Sequence, residues 1–135
     1  MTSSLWIPDP EDPGPRIPDP DLMVAHVVLL KPRATLSTND REALLEAMRV
    51  AFTGIPEIKR VRIGKRILIG RGYETQMAEH FEYSAIIEFD AEADLRVYLD
   101  HPRHQELGRR FFESADSALV YDFTVVDAEQ VRALV

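Results

Sequence analysis

Cysteine is absent from the 135 residues. That removes disulfide scaffolds, thiolate nucleophiles, iron–sulfur clusters and thiolate zinc sites. No apolar run approaches the roughly 20 residues a membrane helix needs. No charged-then-apolar leader opens the chain, because Met1 runs directly into a proline-rich stretch. Positive charge is in deficit: 16 Lys and Arg stand against 23 Asp and Glu, for a net charge of −7. Such a balance argues against bulk electrostatic binding to nucleic acid. Glycine is scarce, at six residues, and Gly64, Gly70 and Gly72 are not expected to form a phosphate-binding loop, since no helix is predicted after them. These absences lead to the expectation of a cytoplasmic protein with no cofactor, no metal, no nucleic-acid partner and no membrane partner.

What is present divides the chain. Residues 1–22 hold six of the nine prolines and a net charge of −4, with Ile7-Pro8-Asp9-Pro10 repeated as Ile17-Pro18-Asp19-Pro20. Proline at this density forbids helix and favours polyproline II geometry. Trp6, Ile7 and Ile17 are apolar anchors for which a solvating tail has no use. An arm lying on its own domain or on a partner subunit is expected. Residues 23–127 form the domain, long enough to bury a core, and residues 128–135 form a tail.

Within the domain, Met23–Lys31 reads as a strand closed by Pro32. Ser37–Thr53 reads as a helix, with Ser37 and Asp40 in a capping-box pattern, Gly54 and Pro56 as the stop, and Leu44, Leu45, Met48 and Phe52 as the apolar stripe. Ile58–Ile69 reads as a strand with Val61, Ile63, Ile67 and Ile69 on one face, followed by a polar loop over Gly70–Glu79 and a third strand over His80–Phe89. A second helix starts at Ala91, breaks at Pro102 and resumes over Arg103–Ala115. Leu119–Val126 is the last strand. The order β-α-β-β-α-β predicts an α+β, ferredoxin-like subunit with an antiparallel four-stranded sheet. Both faces of its first and last strands are mostly apolar, and two helices can cover one face only. A homodimer packed sheet on sheet is therefore expected.

Polar residues with chemistry are few. His104 shares a helical face with Leu107, Phe111 and Ala115, so its imidazole points at the core or at a pocket in it. Asp122, among apolar neighbours on the last strand, is the expected partner. A His–Asp pair fixes the tautomer and leaves the other nitrogen as a usable base, although a purely structural pair reads the same way. Tyr98 ends the first half of the broken helix, either as a core tyrosine or as a donor to a substrate carbonyl. His26 lies on the strand-one face of Val28 and Leu30. His101 is expected to cap the second half-helix. His101 and His104 share an i, i+3 spacing, but no third metal ligand is positioned by sequence. His80 is expected at the surface. Lys59–Arg71 contains six basic residues and no acidic one, which suits either a solvated edge strand or a phosphate-bearing substrate.

The segments Met23–Lys31, Ile55–Lys65, Glu88-Phe89-Asp90 and above all YLDHPRHQEL (98–107) followed by Tyr121-Asp122-Phe123 resemble the stress-responsive A/B barrel family. The resemblance spans residues 23–126. It implies a small dimeric α/β barrel of ferredoxin-like subunits. A polyketide-cyclase branch of that family closes linear polyketide thioesters by aldol condensation in a pocket between helices and sheet. Carried over by motif, the resemblance implies Tyr98, His104, His26 and Asp122 as catalytic positions, with His104 as base, Asp122 as its orienter, Tyr98 as carbonyl donor and His26 as a second polar group. That branch has a strand-three histidine where this chain has Tyr83. A hydrophobic small molecule or a thioester is the ligand so implied. A non-enzymatic stress or scaffold protein is the alternative, and a cofactor-independent monooxygenase or haem-degrading relative is a second.

Overall fold

The structure, a computed structural model, describes residues 22–135. The expectations for the Pro-rich arm lie outside the described residues. The elements run β1 (Val24–Pro32), α1 (Thr38–Gly54), β2 (Arg60–Lys65), α2 (Gly72–Gln76), β3 (Tyr83–Phe89), α3 (Glu92–Asp100), α4 (Pro102–Ser114), β4 (Ala115–Thr124) and a terminal 3-10 helix over Ala128–Leu134. The sheet has the order β2-β3-β1-β4 with every pair antiparallel, so β1 is paired on both sides. This is the ferredoxin-like α+β fold expected from the element order.

Alternation along β1 decides where the core forms. Val24, His26, Val28 and Leu30 point to the helices and are all buried. Ala85, Ile87 and Phe89 of β3 share that face. Leu44, Met48, Ala51 and Phe52 of α1, Leu95 and Tyr98 of α3 and Leu107 of α4 close over them to form one cluster. Leu45, expected in the α1 stripe, is instead 37% exposed, because Ala51 completes the buried face. Ser37 caps α1, its Oγ accepting from the Asp40 N–H at 3.1 Å. Ser37→Ala is expected to lower stability by about 1 kcal/mol, read as a shift in the urea midpoint at unchanged slope.

The opposite face carries Val27, Leu29, Ile86, Leu119, Tyr121 and Phe123, with Tyr121 and Phe123 56% and 51% exposed. The core helices α1, α3 and α4 pack on the other side.

Three local features differ from the expectation. β2 stops at Lys65, where its ladder partner β3 begins at Tyr83, so Ile67 and Ile69 continue no strand face and are 75% and 60% exposed. A helix does follow Gly70 and Gly72, but it has five residues. The N–H groups of the turn leading into it serve the Glu74 carboxylate, which accepts from Ile69, Gly70 and Arg71 at 2.7, 2.8 and 3.0 Å. Finally, β4 begins at Ala115 directly after α4, with no loop between them. There Pro32 pairs with Ala115 but Lys31 pairs with Ser117, a bulge that leaves Asp116 as the extra residue.

Candidate functional site

Pro102 organises the site. It has no N–H to continue α3 and sits at the first position of α4, where none is needed. His101 bridges the break as expected: its Nδ1 accepts from the Arg103 N–H at 3.0 Å and caps α4. With Arg103 so engaged, the Leu99 carbonyl has lost the donor that a continuous helix would supply. Two side chains take its place, His104 Nδ1 and Gln105 Nε2, each at 3.1 Å. A carbonyl can only accept, so Nδ1 of His104 carries the proton and Nε2 is left with a lone pair.

His26 acquires the same tautomer from a different partner. β1 and β4 pair with His26 directly opposite Asp122. The Nδ1–H of His26 donates to Asp122 Oδ1 at 2.5 Å. The expected His104–Asp122 pair is therefore corrected: Asp122 orients His26, and the Leu99 carbonyl orients His104. His26 is 4% exposed, whereas the Asp122 side chain is 46% exposed and faces water on the edge strand.

Tyr98 stands between the two imidazoles. Its ring centroid is 5.7 Å from that of His26 and 4.6 Å from that of His104, and the ring also packs on Phe89 at 5.2 Å. All three side chains line one cavity of about 240 Å3 between α3, α4 and the sheet. Val28, Phe52, Leu107, Phe111 and Val120 make its apolar walls. The volume lies just under the range usual for ligand pockets, so the site suits a compact molecule. Phe52 and Phe111 were read from sequence only as apolar-face residues, and the Leu99 carbonyl was not singled out. The helix break at Pro102 was the available signal for the carbonyl.

Burial alone pushes the Tyr98 phenol well above its ordinary range, so it keeps its proton and acts as a donor. Burial, as the largest cause, also pulls His104 below the ordinary imidazole value of 6.5. Proximity to His26 works in the same direction, and the Leu99 carbonyl and Asp100 oppose it. The unfolded chain therefore takes up a proton at His104 before the folded protein does. Stability from this group is complete above about pH 6.5 and is lost as pH falls through the folded value. Urea midpoints are expected to drop between pH 7.5 and 5.5, with a smaller drop in His104→Gln. An NMR titration placing His104 above 6.5 would contradict this.

Other candidates separate from the cavity. Tyr83 sits opposite Leu30, four residues along β1 from His26 and toward Arg41 and Glu82. His80 is exposed, with its Nδ1 accepting from Arg66 at 2.8 Å. His101 spends its Nδ1 on the cap. Among the described residues no cluster of three or more His, Asp or Glu side chains is arranged to hold a metal. A second hollow of about 770 Å3 lies on the open sheet face, under Met77, Ala78, Glu79 and Phe81, against Leu29, Ser84 and Leu119. No histidine lines it.

Residues 24–125 match the stress responsive A/B barrel domain family. No curated protein gives a significant match. Among solved structures, the chain is similar to a hydroxynitrile lyase from Passiflora edulis, with 18% identity, 81% of this chain and 98% of that one covered, and a TM-score of 0.69. It is similar to a dimeric ferredoxin-like protein of unknown function from Jannaschia sp. CCS1, with 28% identity, coverage of 76% and 99%, and a TM-score of 0.61. A ferredoxin-like member of the same domain family from Mesorhizobium loti is 17% identical, with coverage of 78% and 98% and a TM-score of 0.63. No helix among the described residues is long and apolar enough to cross a membrane.

Proposed function

The chain belongs to the stress-responsive A/B barrel domain family, and from that premise we propose that it is a homodimer whose helix-side cavity binds a small carbonyl compound and performs acid–base chemistry on it. The observation that carries the reading is that His26, His104 and Tyr98 line a single apolar-walled cavity, each imidazole with its Nδ1 proton already engaged, by Asp122 and by the Leu99 carbonyl. A purely structural core has no need of two histidines with the same fixed tautomer around one empty volume.

The roles follow from the protons. His26, backed by the Asp122 carboxylate, is the general base. Its Nε2 removes a proton from the carbon next to a carbonyl. Tyr98, which holds its proton, donates a hydrogen bond to the enolate oxygen that develops. The enolate carbon then attacks a second carbonyl of the same molecule, and the proton on His26 passes to the new alkoxide. No co-reactant is required. His104, neutral and below the usual imidazole range, accepts a hydrogen bond from a substrate hydroxyl. This is ring closure of the polyketide-cyclase kind, with His26 rather than His104 as base. A thioester substrate would place its acyl end inside and its carrier chain outside, given the small volume.

The dimer reading rests on the uncovered face of Val27, Leu29, Ile86, Leu119, Tyr121 and Phe123, an apolar patch too continuous for a monomer surface. The Jannaschia protein of the same fold is described as dimeric. A second copy of the sheet would cover this face, and sedimentation at micromolar concentration is expected to give a dimer.

The chemistry is tested with the full chain in D2O, using phenylacetone and the acetoacetyl thioester of N-acetylcysteamine as probes. Exchange of the protons next to the carbonyl, followed by NMR, is expected to outpace buffer and to fall to the buffer rate in His26→Ala. Exchange no faster than buffer for both probes, with no perturbation of cavity signals, would overturn the reading.

A further inference from the structure

The outer edge of the sheet combines two features that a solvated strand does not need. The first is charge. Of the six cations between Lys59 and Arg71, Lys59 is neutralised by Asp90 at 2.8 Å and Lys65 lies 3.9 Å from Glu82. Arg60, Arg62 and Arg71 make no salt bridge among the described residues. Arg60 and Arg62 alternate with Val61 and stand at the rim of the open face.

The second feature is apolar. Ile67, Leu68 and Ile69 are 75%, 63% and 60% exposed, and Tyr73 and Met77 nearby are also exposed. This exposure is built into the backbone. Glu74 gathers the N–H groups of Ile69, Gly70 and Arg71, and Gly70 takes φ +84°, a turn that disfavours any side chain. The same three backbone donors hold the Glu74 carboxyl below the ordinary carboxylate range. A hydrogen-bonded turn that holds three consecutive aliphatic side chains in water is the signature of a covered surface.

The chain itself supplies a matching occupant. Residues 1–21 carry Asp9, Glu11, Asp12, Asp19 and Asp21 against Arg16 alone, together with Trp6 and Ile7. The described domain begins beside the Arg60 end of this surface. Val24 lies opposite Phe89 on β3, and Arg60 lies opposite the adjacent Glu88, so the junction is two strand spacings, about 10 Å, from the start of β2. Ile67–Ile69 lie past the far end of β2, more than roughly 20 Å further along the sheet, and the fifteen residues between Trp6 and Asp21 span about 45 Å at roughly 3.1 Å each, enough to reach them. Six prolines lower the conformational entropy lost on ordering.

We propose that residues 1–21 dock on β2 and the 66–77 segment of their own chain, with their carboxylates against Arg60, Arg62 and Arg71 and with Trp6 and Ile7 against Ile67–Ile69. The inference is independent of the chemistry proposed for the cavity.

Trp6 is the sole tryptophan, so the full-length protein reports on its own arm. Docking is expected to give blue-shifted emission and a several-fold lower acrylamide quenching constant than a free tryptophan. Raising salt to about 1 M, where the screening length falls to about 3 Å, should move both partway toward the exposed values. The triple variant Arg60→Glu, Arg62→Glu, Arg71→Glu should move them further, with far-UV circular dichroism unchanged. The salt titration needs no variant and stands if the variant misfolds. Trp6 quenched like free tryptophan in the wild type would overturn the proposal. So would a protected Trp6 indifferent to salt and to the variant, because it would then lie elsewhere. Protection that disappears on dilution with the dimer would also overturn it, assigning the arm to the partner subunit.

Discussion

Tyr98→Ala is expected to cost about 3–5 kcal/mol of folding stability, while Tyr98→Phe stays within about 1 kcal/mol of the wild type. The contrast follows from what each change removes. Tyr98 is 1% exposed and its ring touches Phe89, His26 and His104, so alanine opens a void among three elements that cannot all collapse. Phenylalanine keeps the ring and loses only the hydroxyl. If that hydroxyl is the enolate donor, Tyr98→Phe should slow exchange by about 100-fold or more at full stability. Denaturant midpoints and exchange rates measured on the same samples separate the two effects. A Tyr98→Ala cost below about 1 kcal/mol would show that the ring does not hold the core.

Asp122→Ala is the second large effect, and it falls on chemistry more than on folding. The loss strands the Nδ1–H of a histidine that is 4% exposed. An unsatisfied buried donor costs about 1–3 kcal/mol. The lower end is expected, because Asp122 is itself 46% exposed and water can follow the deleted carboxylate. Catalysis loses the group that holds His26 in the Nδ1–H tautomer, and a drop of about 100- to 10,000-fold in probe exchange is expected. His26→Ala should do as much, and the double variant little more, since the two act as one unit. Effects that instead multiply would separate Asp122 from His26 and return it to a structural role.

Much of the architecture is visible in the residues because local signals agree. Pro102 marks the break between α3 and α4, His101 sits where a cap is needed, and Ser37 opens α1. Alternation along β1 already places His26 with Val28 and Leu30. The partner of Asp122 is different in kind. Its pairing with His26 is a matter of register between strands 96 residues apart in sequence, and no local pattern encodes register. Helical spacing does turn His104 toward the core, but it says nothing about which group meets the ring there. The Leu99 carbonyl could only be suspected from the helix break at Pro102, across which the Arg103 N–H turns to His101. The overlong strand after Ile58 has a similar cause. Ile63, Ile67 and Ile69 keep a strand's alternation, yet a strand lasts only as long as its neighbour, and β3 does not extend past Tyr83.

The bulge at the head of β4 sets the phase of everything downstream. With Asp116 as the supernumerary residue, Lys31 meets Ser117 and the same offset carries through to His26 and Asp122. Continue the Pro32–Ala115 pairing without it, and Tyr121 falls opposite His26 while the aspartate turns to the other face. Leu119, Tyr121 and Phe123 would exchange places with Ala118, Val120 and Asp122 in one step. One residue thus acts as a frame marker. It keeps an acid on the cavity side and an aromatic row on the open side. It also makes the α4–β4 junction, though at the surface, intolerant of single insertions or deletions in a way that an ordinary loop is not.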